Sequence, residues 1–401
     1  MIDLRAARAD SAAFRAALAR RGAGELFDEL LAADGRWRDA STHRDEVRAE
    51  QKRLGKPTTP EEIDEAKRLK GELQSLDAAL AEAESTRQEL WDRLPNAPHA
   101  SVPEGEDEGD AVELRRSGEP AATDGAAEHT EIGRFDMERA ARVSGSRFGY
   151  WIGDTALLAL ALYRLALERL VAKGFVPVLP PVLVREDALY GTGWLPSPDP
   201  NSYKLEGEDL YLAGTAEIPL GGLHGDEVLE ADALPLRYVG FSPCFRSEAG
   251  AAGKDTSGMF RVHQFNKVEQ FVFTRPEESW DEHERLLANT EELVAELGVS
   301  YRVVVLPTGD MSKASAKTYD VELWFPSHGR YRETASVTNA TDYQARRFGT
   351  RYRTERDLEP VHMLNGTAVV DRMALAILEN FQGDVPDALV AYGAPPRVTP
   401  A

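Results

Sequence analysis

The strongest constraint on the fold is a repeat of apolar residues at alternating three- and four-residue spacing in the first 95 residues. The repeat begins at Leu26, stops near KPTTPEE at residues 56–62, resumes at Ala66 and continues to Leu94. Such a seam lies along one side of an α-helix, and the proline-marked break between the two stretches predicts a short turn. We therefore predict an antiparallel helical hairpin whose helices are each about 40–50 Å long.

The turn of this hairpin carries an excess of basic residues, although the whole chain has a formal net charge of -21. The simplest interpretation of the hairpin is a dimerisation coiled coil, because an arm of this width cannot enclose a pocket. Attraction to phosphate groups would also explain the basic tip, whereas exposed charges on a helix often serve only solvation. The pattern alone leaves these readings open. The basic residues of the tip are Arg48, Lys52, Arg53, Lys56, Lys67, Arg68 and Lys70.

The composition argues against several classes of protein. The acidic net charge argues against a general DNA binder or membrane-surface binder, and no apolar run approaches the ~20 residues that cross a bilayer. The arginine-rich N-terminal stretch lacks the apolar core of a signal peptide. Cys244 is the single cysteine, which excludes an internal disulfide, and its apolar neighbours predict a buried structural thiol. We expect a protein of a reducing, cytoplasmic compartment.

The composition changes twice along the chain. Prolines end the helical repeat near residue 95 and a block of acids follows up to residue 110, which is typical of a solvated linker. From about residue 130, strand-like and helix-like segments replace the helical composition. We therefore divide the chain into a helical arm (1–105), an acidic linker (106–125) and a larger domain (126–401).

Strand candidates dominate the larger domain and follow one another in turn-linked pairs. Helices are predicted near residues 154–174, 277–297 and 370–382. Because strands and helices do not alternate strictly, we predict an α+β fold built on a mainly antiparallel sheet. The strand candidates are FVPVLPPVLV, LYLAGTAEIPL, LRYVGFSPCF, HQFNKVEQFVF, YRVVVLP, VELWFP and RYRETASV.

The segment FRSEAGAAGKDTSGMFRVHQFNKVEQF, residues 245–271, carries more charge than the packing of a hairpin requires. Alternation puts Arg246 and Glu248 on one face of the outgoing strand, and Lys267 and Glu269 on one face of the return strand. The glycines between them predict a mobile loop with Lys254 near its tip. Arginine beside acids suits a ligand with anionic and cationic parts, such as an α-amino acid next to a nucleotide. Cross-strand ion pairs on a surface hairpin would explain the same residues.

Two other segments favour the ligand site over the surface hairpin. GTAE at 214–217 and RYRETASVTNATDYQARR at 330–347 bring similar polar residues to separate strand candidates. The chain has no Walker loop and no dinucleotide fingerprint, and its eight histidines lack metal-ligand spacing. These observations predict a site floor that several strands build together.

Several motifs together resemble one known family. Residues 245–271 closely resemble motif 2 of bacterial seryl-tRNA synthetases, which are class II aminoacyl-tRNA synthetases. The segments YGTGWLP, YLAGTAEIPL, SAKTYDVELWFP, QARR and LNGTAVVDRMALAILENFQ occur in that family's order. The resemblance extends from the first residue to about residue 393 and includes the N-terminal hairpin. Several long motifs in order make it far more specific than any single motif.

The resemblance implies a class II synthetase fold, with an antiparallel sheet flanked by helices, and a homodimer formed through motif 1 near residues 167–183. It implies a serine–tRNA ligase, in which L-serine attacks the α-phosphate of ATP to give seryl adenylate and the seryl group then passes to tRNA(Ser). ATP and Mg²⁺ would be the cofactors. The hairpin would reach across the dimer to the long variable arm of serine tRNA, so the basic tip residues become tRNA-binding candidates.

The same resemblance implies roles for individual residues. Arg246 would hold the serine carboxylate and the α-phosphate, Glu248 would bind the adenine amino group, and Phe265 would stack on the adenine ring. The catalytic candidates are Arg246, Glu248 and Arg372. The serine-binding candidates are Thr215, Glu217, Arg246, Glu269, Asn365 and Thr367. The ATP-binding candidates are Arg246, Glu248, Arg261, Phe265, Glu333, Ser336 and Arg372, of which Glu333 and Ser336 are also the Mg²⁺ candidates.

Departures from the family pattern leave alternatives open. Asn365 and Arg372 are seven residues apart, the tract after Glu333 has no cysteine, and the hairpin is short. A divergent copy that serves a specialised biosynthetic pathway, or one that resists an inhibitor, would fit these departures. A catalytically inactive tRNA-binding protein is a further alternative, and the full set of charged site residues argues against it.

Overall fold

The N-terminal residues form the helical hairpin that the apolar repeat predicts. The structure, a computed structural model, describes residues 1–197, 201–248 and 258–399, and the chain divides into two units, Met1–Ala97 and Pro98–Ala401. The loop tip expected at Lys254 lies outside the described residues. The helices of the first unit are α1 (Leu4–Ala9), α2 (Ser11–Ala19), α3 (Gly24–Leu54) and α4 (Pro60–Arg93).

The turn between α3 and α4 is specified by its own sequence. The Thr59 side chain accepts a hydrogen bond from the N–H of Glu62, and the Glu62 carboxylate accepts one from the N–H of Thr59. This reciprocal capping box satisfies two donors at the start of α4, and Pro60 occupies a first-turn position where its missing N–H costs nothing. The KPTTPEE segment therefore ends one helix and starts the next.

Arg87 interrupts the apolar seam of α4, and the structure shows how the hairpin accommodates it. Its guanidinium lies 3.8 Å from the centroid of the Trp37 ring on α3, which is cation–π geometry. Its Nη1 atom also lies 3.5 Å from Oδ1 of the buried Asp34. The charge thus cross-links the two helices instead of weakening their seam.

The second unit contains an eight-stranded sheet in the order β1-β11-β12-β13-β16-β10-β9-β4, among the residues that the structure describes. All neighbours in this sheet pair antiparallel except β4 and β9, so the predicted antiparallel sheet is confirmed. The strands of the unit are β1 (Val112–Ser117), β2 (Phe135–Asp136), β3 (Tyr150–Trp151), β4 (Val176–Val178), β5 (Leu183–Val184), β6 (Tyr203–Lys204), β7 (Tyr211–Leu212), β8 (Val228–Glu230), β9 (Leu236–Phe245), β10 (Gln264–Thr274), β11 (Tyr301–Val305), β12 (Lys317–Phe325), β13 (Arg330–Asn339), β14 (Arg351–Arg353), β15 (Leu358–Pro360) and β16 (His362–Val370).

Helices cover the sheet and leave a polar face for a site. Val268 and Gln270 of β10 are fully buried, and the Gln270 side chain donates to the carbonyl of Leu286 on α10. Lys267 and Glu269 alternate with them and therefore face the other side of the strand. No described helix combines the length and apolarity that a bilayer crossing requires. The helices of the unit are α5 (His129–Ile132), α6 (Met137–Ser144), α7 (Asp154–Ala172), α8 (Glu186–Thr192), α9 (Glu217–Gly221), α10 (Ser279–Leu297), α11 (Tyr343–Phe348), α12 (Asp371–Phe381) and α13 (Asp387–Val390).

Part of the expected acidic linker at 106–125 is an ordered element. Its residues Val112–Ser117 form β1, which pairs antiparallel with β11 at the edge of the large sheet. Every residue of β1 is exposed, so the strand has no buried apolar stripe that a sequence pattern could reveal. Backbone pairing and ion pairs such as Arg115 with Glu291 on α10 hold it in place.

The strand predicted for LYLAGTAEIPL is also shorter than expected. Only Tyr211–Leu212 pairs as a strand, and the segment then turns into helix α9, which begins at Glu217. Pro219 lies in the first turn of α9, where proline does not disrupt a helix. An apolar run of this length cannot be assigned to strand or helix by periodicity alone.

Candidate active site

A cavity of about 460 Å³ opens on the polar face of the large sheet. It brings together residues that are up to 180 positions apart in the sequence, from Thr192 to Arg372. The structure places every predicted serine- and ATP-site residue on the wall of this cavity. These residues are Thr215, Glu217, Arg246, Glu248, Arg261, Phe265, Glu269, Glu333, Ser336, Asn365, Thr367 and Arg372.

Neighbouring strands supply one end of the cavity. Glu269 on β10 pairs across the sheet with Thr367 on β16, so their side chains leave the same face. Asn365, two residues before Thr367, donates from Nδ2 to Glu269 Oε1 at 3.2 Å. The register of β10 against β16 therefore sets the distance between these three side chains.

The turn before α9 supplies a second wall at this end. Thr215 Oγ1 accepts hydrogen bonds from Lys267 Nζ at 2.6 Å and from the N–H of Glu217 at 3.2 Å. Glu217 Oε1 accepts from Gln344 Nε2 on α11 at 2.7 Å. The departure of this segment from a strand is what turns Thr215 and Glu217 towards β10.

Buried acceptor oxygens without partners mark this end of the cavity. Gln344 Oε1 and Asn365 Oδ1 are inaccessible to solvent and have no hydrogen-bond partner among the described residues. Glu269 Oε2, also buried, is paired with Lys267 Nζ at 2.7 Å. Buried acceptors are costly unless something donates to them. The cavity is thus built for a ligand that brings N–H or O–H donors.

Arginines and acids line the other end. The Arg246 guanidinium lies 5.3 Å from the centroid of Phe265, and its Nε donates to the carbonyl of Gly214 at 3.2 Å. Arg372 Nη1 lies 2.8 Å from Glu333 Oε2. Arg261 forms an ion pair with Glu248. This end therefore carries three guanidinium groups, which suit phosphate and carboxylate groups.

The pKa values of two carboxyl groups in the cavity, Glu217 and Glu333, are shifted in opposite directions. Burial, together with the charge of Glu269, raises the pKa of Glu217 to about 7. Burial also acts on Glu333, but the charges of Arg372 and Arg246 lower its pKa below the usual value. Neighbouring acids with separated pKa values are typical of functional sites.

Cys244 lies beside this site but takes no part in its wall. It belongs to β9 and is fully buried, and burial raises the pKa of its thiol. A thiol with a raised pKa is a poor nucleophile. The prediction of a buried structural cysteine is confirmed.

Two protein families match the chain over most of its length. Residues 1–98 match the family described as the seryl-tRNA synthetase N-terminal domain, and residues 203–381 match the tRNA synthetase class II core domain (G, H, P, S and T). A serine–tRNA ligase of Thermobifida fusca is 44% identical over 97% of this chain and 96% of its own length. The chain belongs to the seryl-tRNA synthetase family.

Solved structures of the seryl-tRNA synthetase family share the fold. The enzyme of Pyrococcus horikoshii complexed with ATP superposes with a TM-score of 0.92 at 39% identity, over 100% of both chains. The cytoplasmic enzyme of Naegleria fowleri in complex with AMP gives a TM-score of 0.86 at 30% identity, over 96% of this chain and 95% of that one. The predicted class II synthetase fold is confirmed.

The similarity to curated relatives also confirms the predicted function. Serine–tRNA ligases match at 40–48% identity, so the chain is an aminoacyl-tRNA ligase of the serine–tRNA ligase type. A serine–tRNA ligase of Pyrococcus furiosus is 48% identical over 78% of this chain and 75% of its own length. Relatives from both bacteria and archaea thus match the chain at similar identity. The matches support the seryl-tRNA synthetase family, but they do not distinguish the bacterial type that motif 2 suggests.

Several cavity residues have no role assigned from the sequence, among them Gln344, Trp194 and Lys267. Gln344 lies in QARR and Trp194 lies in YGTGWLP, two segments that carried the family resemblance, and both line the cavity. Lys267 was placed on the same strand face as Glu269 but was given no function. The motifs therefore contained these residues, whereas their contacts with Glu217, Arg246 and Thr215 arise only in the folded chain.

Proposed function

We propose that L-serine binds at the end of the cavity with the acceptor oxygens and that ATP binds at the end with the arginines. The observation that carries this proposal is a pair of buried acceptors, Gln344 Oε1 and Asn365 Oδ1, which have no hydrogen-bond partner among the described residues. Asn365 lies beside the Glu269 carboxylate. An α-ammonium group offers three donors and a serine hydroxyl offers one, so the amino acid supplies what these acceptors lack. Thr215, Glu217 and Thr367 complete the serine pocket.

Discrimination against other amino acids follows from the same acceptors. A ligand without a hydroxyl, such as alanine, would leave a buried acceptor unsatisfied, which is penalised strongly. Threonine would bring an additional methyl group, which the packed strands would exclude sterically. Serine is the amino acid that fits both conditions.

We propose that Arg246 binds both reactants of the activation step, serine and ATP. Its guanidinium donates to the carbonyl of Gly214, next to Thr215, and lies 5.3 Å from the centroid of Phe265. It would hold the serine carboxylate and the α-phosphate together. As the serine carboxylate attacks the α-phosphate, the bond to the β-phosphate breaks and pyrophosphate leaves. Charge builds on the α-phosphate in this step, and a fixed guanidinium stabilises that charge. Positioning and charge stabilisation suffice for this step, so no general base is required.

The remaining charged residues would bind the other parts of ATP. Glu248 would accept a hydrogen bond from the adenine amino group, and Phe265 would stack on the adenine ring. Arg261 and Arg372 would bind the outer phosphates. In the structure these arginines pair with Glu248 and Glu333, so each would exchange a carboxylate for a phosphate when ATP binds.

The residues around Glu333 fit a hard cation such as Mg²⁺. Glu333 and Ser336 offer oxygen ligands at the cavity wall, and Oδ1 of the buried Asp320 has no hydrogen-bond partner among the described residues. No group of three or more His, Cys, Asp or Glu side chains in the described ranges could hold a metal by itself, which suits an ion that takes its other ligands from phosphates and water. Glu333 and Ser336 would hold Mg²⁺, and the ion would neutralise phosphate charge.

The first prediction concerns the pH dependence of serine binding. Glu217, with a pKa of about 7, is mostly protonated at pH 6 and mostly ionised at pH 8, and only the ionised form attracts the serine ammonium. We expect the Kd of serine, measured by calorimetry, to fall about tenfold from pH 6 to pH 8. Glu217→Gln should remove this pH dependence. A serine Kd that stays constant with pH in the wild type would contradict this role of Glu217.

We propose that the hairpin, assigned as the arm at residues 1–105, binds tRNA(Ser) with its tip. All seven basic residues of the tip are exposed. Within residues 48–70, seven Lys and Arg outnumber five Asp and Glu, so the tip is positive on an acidic protein. An acidic remainder would also repel other polyanions, which helps to restrict binding to the correct partner.

We propose that the chain forms a homodimer through the segment 157–183, which contains the expected motif 1. Leu157, Leu160 and Val171 lie on one exposed face of α7, and the edge strand β4 and its flanks expose further apolar residues. Leu179 is 82% exposed. A patch of large exposed apolar side chains marks a protein interface, and a second copy of the chain would cover it.

The second prediction tests this interface. Leu160→Asp combined with Leu179→Asp should convert the dimer to a monomer, because a charge in an apolar interface is costly to desolvate. Analytical ultracentrifugation would measure the mass. Leu114→Asp is the matched control, since Leu114 is also exposed but lies on β1 at the opposite edge of the sheet. A dimer that persists in the double variant would refute the interface.

The function is tested with the wild-type chain in two assays. Serine-dependent exchange of pyrophosphate into ATP should occur with Mg²⁺, and purified serine tRNA should then be charged. Absence of exchange would overturn the proposed roles of the cavity. Exchange without charging would show that activated serine is delivered to another acceptor. We also propose that the protein acts in the cytoplasm and that it belongs to the bacterial type of the family.

A further inference from the structure

Lys267 is a buried cation at the centre of the serine pocket. It lies on β10 and is only 7% exposed. Its Nζ atom is 2.6 Å from Thr215 Oγ1 and 2.7 Å from Glu269 Oε2. A buried ammonium is costly to keep unless its partners compensate the lost hydration. Both partners of Lys267 are residues that we place in the serine site.

The contact with Thr215 fixes the direction in which its hydroxyl donates. Thr215 Oγ1 already accepts from Lys267 Nζ and from the N–H of Glu217. A hydroxyl has two lone pairs and one hydrogen, so both acceptor positions are used and the hydrogen remains to be donated. The cavity therefore receives a donor from Thr215, which suits an oxygen of the amino acid.

The contact with Glu269 sets the charge of the pocket. Two carboxylates, Glu217 and Glu269, line this end of the cavity, and the positive charges that act on Glu217 are those of Lys267 and Arg246. Lys267 compensates one of the two carboxylates. The remaining negative charge matches the single ammonium of an amino acid.

We propose that Lys267 is a positioning residue of the amino-acid pocket, which aims the Thr215 hydroxyl and balances Glu269 so that the pocket accepts one ammonium group. The proposal rests on the proposed serine site. Lys267 acts through Thr215 and Glu269, and serine need not touch it. A lysine that only filled space in the sheet would affect serine and ATP alike, whereas this role concerns serine.

Steady-state pyrophosphate exchange by Lys267→Met tests the role. We expect the KM for serine to rise on the order of 100-fold, because a charged hydrogen-bond donor to two pocket residues is lost. The KM for ATP should change by less than about threefold. Lys267→Arg, which keeps the charge, should recover part of the serine affinity. Lys204→Met, an exposed lysine on β6, is the matched control and should behave as the wild type.

The pH dependence of serine binding distinguishes the two roles, because it would not change if Lys267 only filled space in the sheet. Lys267 lowers the pKa of Glu217 through its charge, so Lys267→Met should shift the pH dependence of serine binding to higher pH. The double variant Lys267→Met with Glu217→Gln removes one positive and one negative charge together. Its serine KM should be lower than that of Lys267→Met alone, which independent effects would not produce.

The outcomes separate this inference from the proposed function. Wild-type protein without serine-dependent exchange would overturn the serine site and the role of Lys267 with it. Normal exchange by the wild type, with an unchanged serine KM and an unchanged pH profile in Lys267→Met, would overturn only the role of Lys267. Thermal unfolding shows whether Lys267→Met folds. If it does not, the serine KM values of the double variant and of Lys267→Arg test the proposal instead. Equal serine KM values in wild type, double variant and Lys267→Arg would also refute the proposal.

Discussion

We expect Arg246→Ala to lower kcat of serine-dependent pyrophosphate exchange by about 10³-fold, the loss that follows when one fixed donor to a developing charge is removed. The measurement is initial-rate exchange at saturating serine and ATP. Arg246 is the only described residue that we place against both the serine carboxylate and the α-phosphate. Its removal therefore takes away both the alignment of the two reactants and the stabilisation of the charge between them.

A charge-conserving variant separates these two contributions. Lysine keeps the positive charge but has no planar fork of donors, so it cannot bind a carboxylate and a phosphate with fixed geometry. We expect Arg246→Lys to recover less than about tenfold of the lost rate. Full recovery by lysine would show that charge alone matters at this position.

The matched control is another arginine of the same sheet hairpin. Arg275 follows β10 at the end away from the cavity, and it pairs with Glu277 and Glu278 near the protein surface. Arg275→Ala should leave the exchange rate unchanged, since surface ion pairs contribute little. A loss of exchange in this control equal to that of Arg246→Ala would mean that the assay reports general damage to the fold.

Removal of residues 48–70 and their replacement by a short Gly-Ser turn should abolish charging of serine tRNA, whereas pyrophosphate exchange should stay within about twofold of the wild type. The deleted residues contain the seven basic tip residues and none of the cavity residues. Phosphate contacts supply most of the affinity for nucleic acid. Charging that continued at the wild-type rate would refute the role of the tip.

Substitution of the seven basic tip residues by Gln tests the same role without a deletion. We expect the KM for tRNA to rise and its dependence on salt to weaken by about one unit of log–log slope for each cation that contacts a phosphate. Arg5→Gln with Arg93→Gln is the control, because these exposed arginines lie outside the tip. A steeper loss in the control than in the tip variant would point to another tRNA surface.

The ion pairs along the hairpin affect how this result is interpreted. Arg68 pairs with Glu65 and Glu72, and Lys67 pairs with Asp64, all on their own helix. Exposed pairs of this kind contribute little to stability, so phosphate groups can replace these acids at little cost. The variant is therefore expected to change tRNA binding much more than the stability of the arm.

The helical arm was predictable because its structure depends on neighbours in sequence. The apolar spacing gave both long helices, and the KPTTPEE segment contained the capping box and the first-turn proline that start α4. These interactions act over three or four residues. Only the accommodation of Arg87 against Trp37 and Asp34 needed the second helix.

The sheet was predictable in kind but less so in detail. Long strands such as β10 and β13 follow the strand candidates, whereas β1 and the segment that leads into α9 do not. In β1 the stabilising pairing with β11 comes from a strand about 190 residues away, and no local pattern encodes such a partner. Local propensity does not predict the conformation of a segment that is held by pairing with a strand far away in the sequence.

The residue types of the site follow from the sequence, since the ordered motifs contain Arg246, Glu269 and Asn365. Which atoms meet was decided only by the tertiary structure. The β10–β16 register brings Asn365 to Glu269, and the turn into α9 brings Thr215 to Lys267 and Glu217 to Gln344. A sequence motif determines which functional groups are present, because each side chain carries its own groups. Buried charges and unsatisfied acceptors arise only in the folded chain, where distant segments come together and exclude water.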